Sequence, residues 1–233
     1  KSPGLVRALL ELSGRGAGLA DSKKAFVEAY SAMVLGAKEA PPQATIDAFA
    51  PLMKQLTHEE FGETLAPAIA RMLKRSPEVV MGAIASLIGS VGLDMSRYAG
   101  DIMPSVAQLI KVTDDEKQAA ALSVVHAMAK QSSDAESLQG LFDGFRGALE
   151  GKDGKLTVWQ HRAGFTRAVG ALAAAPGKSK PIQELAAGIS AFLMEAYSKE
   201  AHEEVKIAML NGVSAWAPRA MAAVQPQLLP FLA

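Results

Sequence analysis

One apolar stripe recurs four times along this chain, and it limits the fold more than any other feature. Ile84, Leu122, Phe165 and Leu210 follow one another at steps of 38, 43 and 45 residues. Leu87, Val125, Ala168 and Val213 stand three positions after them, and Val91, Ala129, Leu172 and Ala217 seven positions after. Apolar groups at i, i+3 and i+7 share one face of a helix, so each recurrence predicts a helix that turns the same face to its neighbours. A period of about 40 residues marks a repeat array, in which each unit is too small to bury its own face and stability comes from stacking. A second mark comes earlier in each unit. Pro67 leads to Met72 and Leu73, Pro104 to Leu109 and Ile110, and Pro226 to Phe231 and Leu232, with Pro51 and Leu56 a weaker match. Proline inside a helix removes a hydrogen bond and clashes with the preceding turn, at about 3 kcal/mol. Its return at matched positions predicts bent outer helices around a curved stack.

Composition points the same way. Of the 233 residues 43 are alanine, the strongest helix former, and no alternation of apolar and polar residues marks a strand. Thr57 with Glu60 and Thr113 with Glu116 fit the capping box, and Ser76-Pro77 fits an N-cap with proline in the first helical position. Gly92, Gly151 and Gly177 fit helix stops. The expected fold class is all-α: a HEAT-type α-solenoid of antiparallel helix pairs in a right-handed superhelical stack. Less regular helices are expected over 1–56. Residues 57–233 divide into pairs near 57–92, 94–131, 134–175 and 179–217, with an incomplete pair at 219–233, in a single continuous solenoid. Beginning at Lys1 and stopping one residue after an apolar run, the chain reads as a piece of something longer.

Several chemistries find no support. Without cysteine there is no disulfide, thiolate metal site or cysteine nucleophile, and the expected compartment is reducing and cytoplasmic. Equal numbers of basic and acidic residues, 24 each, argue against a uniformly basic nucleic-acid binder. The apolar stretch from Val79 to Val91 is interrupted by Gly82, Ser86, Gly89 and Ser90 and is too short for a membrane span. Gly14, Gly16 and Gly18 lack the strand and the Lys-Ser/Thr pair of a phosphate loop and read as a connection between helices. His58-Glu59 and His202-Glu203 invite comparison with di-iron HEAT hydroxylases. Only two such pairs exist, and acids at 59, 60, 203 and 204 are explained as first-turn partners of the helix dipole. No catalysis, metal or cofactor is expected.

Charge is distributed unevenly. Between Arg146 and Lys180 seven basic residues face two acidic ones, a local surplus of +5, while 184–204 carries five glutamates against Lys199, a local −4. Turns of successive repeats line up along an edge of a solenoid, so Lys152, Lys155, Lys178 and Lys180 are expected to form a basic ridge. With Arg162 and Arg167 they are the candidate contact for phosphate or an acidic partner. A solvated turn surface is the plain alternative, since no aromatic residue is interleaved for base stacking. Trp159 and Trp216 lie within helices and read as core or ridge residues.

Particular words in the sequence add a family resemblance. The segment LKRSPEVVMGAIASLIGSVGLDMSRYAGDIM at 73–103, with LTHEEF at 56–61, GKDGKLTV at 151–158 and EEVKIAMLNGVSAWAPR at 203–219, resembles the N-terminal HEAT region of the large translational activators of the general amino-acid control pathway. The likeness runs from about Thr45 to Ala233. It implies a non-enzymatic scaffold on translating or collided ribosomes that relays stalling or starvation to the kinase of initiation factor 2α. The chain has no counterpart of the family's elongation-factor-3-like centre or distal kinase-binding region. Its implied partner is therefore the ribosome, with the kinase engaged only through other regions and no membrane involved. A tubulin-binding or transport-type HEAT array is the alternative from another class.

Overall fold

In the computed structural model of the protein the described residues are 18–222 apart from 133, 153, 177 and 178, with isolated positions 4, 8 and 225 beyond them. Lys178, Gly177, Gly14, Gly16, Pro226, Phe231 and Leu232, all singled out above, lie outside the described residues.

Every regular element among the described residues is helical. α1 (Gly18–Tyr30) runs into a π turn at Ser31–Leu35, and the short α2 (Gln43–Ala48) and α3 (Ala50–Met53) follow. α4 (His58–Glu60) continues through a second π turn, Phe61–Leu65, into α5 (Ala66–Arg75). Then come α6 (Pro77–Ser90), α7 (Ala99–Ile110), α8 (Asp115–Gln131) and α9 (Ala135–Glu150). α10 (Trp159–Ala171), α11 (Lys180–Lys199) and α12 (Glu203–Trp216) complete the array, with single 3₁₀ turns at Ser96–Tyr98, Leu172–Ala174 and Ala217–Arg219.

Two layers form, and the molecule is an all-α solenoid. α6, α8, α10 and α12 pack on one another in succession as the inner layer, while α5, α7, α9 and α11 back them as the outer layer. The recurring stripe is the seam of the inner layer. Ile84, Leu87, Val91, Val125, Ala129, Phe165, Ala168, Leu172, Val213 and Ala217 are buried. Leu122 is half-buried, and Leu210, at the last inner helix, is 40% exposed.

Two of the matched prolines lie within or at the start of outer helices. Pro104 lies inside α7. Pro67 follows directly on the Phe61–Leu65 π turn, whose wider backbone accommodates the missing N–H and the ring that would otherwise strike the preceding turn.

Capping is partly as expected. Thr57 Oγ1 accepts from the Glu60 N–H at 3.2 Å and the Glu60 carboxylate accepts from the Thr57 N–H at 2.8 Å, a complete capping box. At α8 the cap is Asp114 rather than Thr113, its carboxylate accepting from the Lys117 N–H at 3.0 Å. A charged acceptor one residue later satisfies the same orphan donors and also complements the helix dipole. Ser76 holds the N-cap position of α6 without a side-chain bond, and Pro77 opens the helix. Gly151, at φ 80°, ends α9 in a left-handed turn, with Lys152 N–H bonded to Gly147 O at 2.9 Å and Gly151 N–H to Ala148 O at 3.2 Å.

The alternation of layers creates two edges. On the first, outer helices end and inner helices begin: Gln118 Nε2 donates to Ile110 O at 3.0 Å and to Gln160 O at 3.4 Å, which aligns the α7–α8 turn with the start of α10. On the second, inner helices end. There Met95 N–H donates to Gln131 O at 3.1 Å, and Arg219 Nη2 to Ala173 O at 2.6 Å.

Candidate binding edge

The five candidate cations among the described residues fall into groups that the sequence does not separate. Lys152 and Lys155 stand exposed in the connection between α9 and α10, on the first edge. The Lys152 stem lies along Gly147, where an added Cβ would come within 3.1 Å of Lys152 Cδ. Neither lysine has an ion-pair partner among the described residues. Lys180 opens α11 at the other end of α10 and lies 3.5 Å from Glu184. The 13 residues of α10 put about 20 Å between the two turns at 1.5 Å per residue. Lys152 and Lys155 therefore share one edge, Lys180 stands on the opposite one, and a continuous ridge through all three does not form.

Arg162 and Arg167 are both hydrogen-bonded within the chain, Arg162 half-buried and Arg167 exposed. Arg162 grips Glu200 through Nε at 2.7 Å and Nη2 at 3.0 Å, and its Nη1 donates to Leu156 O at 3.1 Å. Arg167 Nη1 donates to the Oε1 of buried Gln118 at 2.9 Å. Arg146, the remaining arginine of the basic stretch, pairs with Glu150 at 2.7 Å and lies 5.2 Å over the Phe192 ring.

Glu200 closes the first edge between α10 and α12. Beyond Arg162 it accepts from the N–H groups of Ala201 and His202, each at 2.9 Å, and His202 stacks on Trp159 with centroids 4.3 Å apart and planes 11° from parallel. The Arg162 hydrogen bond, joined by those of His202 and Ala201, holds the Glu200 carboxyl below the usual carboxylate range. A carboxyl depressed by folding contributes stability that is fully present above its unfolded value and is lost as pH falls through the lower folded value. Replacing Glu200 with glutamine is expected to flatten the acid limb of the unfolding free energy below about pH 4.5. An unchanged acid limb in urea titrations over that range would show that Glu200 does not latch the edge.

No metal cluster of three or more His, Asp or Glu residues occurs among the described residues. His58 stacks on Tyr98 at 6.2 Å while His202 stacks on Trp159, so the two His-Glu pairs sit in separate places. A cleft of about 510 Å³ opens between α7 and α9 over Phe165 and is lined mainly by apolar and small residues, with Lys111 its charged member. That lining offers no acid–base pair. No helix among the described residues is long and apolar enough to cross a membrane.

One set of groups escaped the sequence reading. Arg71, Lys74 and Arg75 reach the first edge at the end of α5, and Lys111 at the end of α7. They lie outside the 146–180 window and become visible only by stepping through the sequence at the repeat period, 36 residues from Arg75 to Lys111 and 41 from Lys111 to Lys152.

Comparison with known proteins supplies the context. A family model described as "Stalled ribosome sensor GCN1 N-terminal" matches residues 23–156. The chain is 35% identical over its full 233 residues to the protein ILITYHIA of Arabidopsis thaliana, covering 9% of that relative. It is 29% identical over 197 residues, 84% of the chain, to the stalled ribosome sensor GCN1 of Homo sapiens, covering 7% of that protein.

Proposed function

This chain belongs to the family of the GCN1 N-terminal region, and from that premise we propose that it is a non-catalytic scaffold segment of a ribosome-associated stall sensor. It is a HEAT-type stack whose role is to present an edge to the ribosome in the cytoplasm. Coupling of stalling or amino-acid starvation to phosphorylation of initiation factor 2α belongs to the whole protein, with the kinase engaged by regions outside this chain. The observation that carries the reading is the family match over 23–156, and the exposure of unpaired Lys152 and Lys155 supports this edge as the contact. Lys178 and Lys180 are secondary candidates; Arg162 and Arg167 contribute by bracing the edge rather than by touching a partner.

Co-sedimentation of the full-length protein with ribosomes tests this. Lys152→Glu with Lys155→Glu is expected to reduce the pelleted fraction several-fold at moderate salt, and Lys180→Glu to leave it near wild type, since an acidic pair on a contacting edge repels phosphate. Equal pelleting of all three proteins would remove this edge from the ribosome contact.

A further inference from the structure

We infer that the first edge carries a row of cations built to lie along the phosphate backbone of double-helical RNA, and that Arg71, Lys74, Arg75 and Lys111 belong to it together with Lys152 and Lys155. The inference rests on the ribosome reading above and names the chemistry of the surface that meets it. Four outer helices end on this edge; α5 at Arg75, α7 at Ile110 and α9 at Glu150 deliver basic side chains without ion pairs there, while α11 ends at Lys199, which is paired with Glu195. Arg71, Lys74, Arg75, Lys152 and Lys155 are exposed, and Lys111 is half-buried with its ammonium 5.9 Å from the Phe165 ring centroid. None of the six is in an ion pair among the described residues. A cation at a helix C-terminus is favoured by the dipole, but that local preference does not account for six without a carboxylate partner on one rim.

Spacing and polarity select the partner. Packed helices stand about 8 to 10 Å apart, so the row extends over at least about 20 Å from α5 to α9. A duplex presents roughly one charge per 1.7 Å of its axis, and every helix end on the row therefore meets phosphate. Acidic residues Glu78, Asp114, Asp115 and Glu116 sit on the same edge, at the starts of the inner helices α6 and α8. They lie one helix layer inward, about a Debye length away at physiological salt. A polyanion is thus steered to the outer rim and away from the inner one. At α10 the first turn holds no acid; of the two acids near Lys152 in sequence, Glu150 is paired with Arg146 and Asp153 lies outside the described residues. Recognition stops at the backbone because, among the described residues of this rim, no ring is free to stack on a base. Phe145 and Phe165 are buried, and Trp159 is stacked on His202 and packed against the core.

The test uses full-length protein and a fluorescent RNA duplex of mixed sequence, with affinity measured across a salt series. Replacing Lys74, Arg75, Lys111, Lys152 and Lys155 together with glutamine is expected to weaken duplex binding at least tenfold near 0.1 M salt. The slope of log affinity against log salt should fall by about one for every phosphate that the variant no longer neutralises. The paired changes Lys130→Gln and Lys180→Gln, on the second edge, are expected to leave both quantities unchanged. Substitution of each exposed cation shifts stability by only about 0.5 kcal/mol, and matching circular dichroism spectra establish that each variant, including the one that changes half-buried Lys111, is folded. Duplex affinity unchanged by the five substitutions overturns the inference. If ribosome pelleting of that variant drops while duplex affinity holds, the edge meets ribosomal protein: the ribosome reading stands and the RNA inference fails. If duplex affinity drops while pelleting holds, the RNA inference stands and this edge is not the ribosome contact.

Discussion

Replacing Trp216 with alanine is expected to destabilise the C-terminal half of the array by about 3 to 5 kcal/mol, the range for removing a fully buried large aromatic side chain. Trp216 has no exposed surface. Its Nε1–H crosses from α12 to donate to Val169 O of α10 at 3.1 Å. The Arg219 guanidinium lies 5.5 Å over its ring and also donates to Ala173 O at 2.6 Å. One residue therefore fastens the last inner helix and the 3₁₀ turn that leaves it. Burial in this interior pushes the Arg219 pKa down, and the ring face and carbonyl that hold the guanidinium compensate its lost hydration. Trp216→Phe keeps most of the apolar volume and loses the N–H, so it separates packing from hydrogen bonding. A loss of about 1 kcal/mol is expected for the bond alone. Because a stacked array couples mainly neighbouring units, hydrogen exchange should accelerate in α10 to α12 and remain near wild type in α6. Urea denaturation supplies the free energy, and a Trp216→Ala loss under about 1 kcal/mol, no more than the hydrogen bond alone, would show that the seam does not depend on this residue.

The layers of this fold were legible in the sequence because the seam repeats as a pattern of single residues. Ile84, Leu87 and Val91 announce the inner face of α6, and the same three offsets find α8, α10 and α12. The edges were not legible by the same means. A linear window joins Lys152 to Lys180, yet α10 carries the chain across the full width of the stack between them. Every second turn returns to the same edge, so neighbours on an edge are a whole period apart in sequence. Arg75, Lys111 and Lys152 look unrelated until the period is applied. Arg162 and Arg167 look like free cations for a related reason: their partners Glu200 and Gln118 are 38 and 49 residues away. The cap at Asp114 in place of Thr113 is a local matter, two competent acceptors side by side of which the charged one wins. Leu210 obeys the seam pattern and is nevertheless 40% exposed, since periodicity describes which face a residue occupies and not what covers that face.

The same logic makes Gly164 the position where the smallest change should do most harm to the edge. A Cβ added there would stand 2.6 Å from Gln118 Nε2 and 2.9 Å from Ile110 O, distances that real side chains do not adopt. Gln118 is 3% exposed. Its amide donates to Ile110 O at 3.0 Å and reaches Val112 O and Gln160 O at 3.4 Å, while its Oε1 accepts from Arg167. This one side chain ties the end of α7, the turn after it and the start of α10 to α8. Gly164→Ala forces it out, adding overpacking of about 1 to 3 kcal/mol to a buried polar group left unpaired at about 1 to 3 kcal/mol. A total loss of about 2 to 6 kcal/mol is expected. Gln118→Ala in the same chain removes the amide that clashes but not the Ile110 carbonyl. The double variant should accordingly lose less than the sum of the two single changes, with a coupling of at least about 1 kcal/mol. Additive losses in urea denaturation would mean that the clash is absorbed elsewhere. Since Lys111 ends α7 and Lys152 follows α9 on either side of this junction, a loosened Gln118 also frees the two cations to move independently. Duplex affinity should then fall in Gly164→Ala even though no charge has been removed, and an affinity equal to wild type in the folded variant would show that the row does not depend on being held rigid.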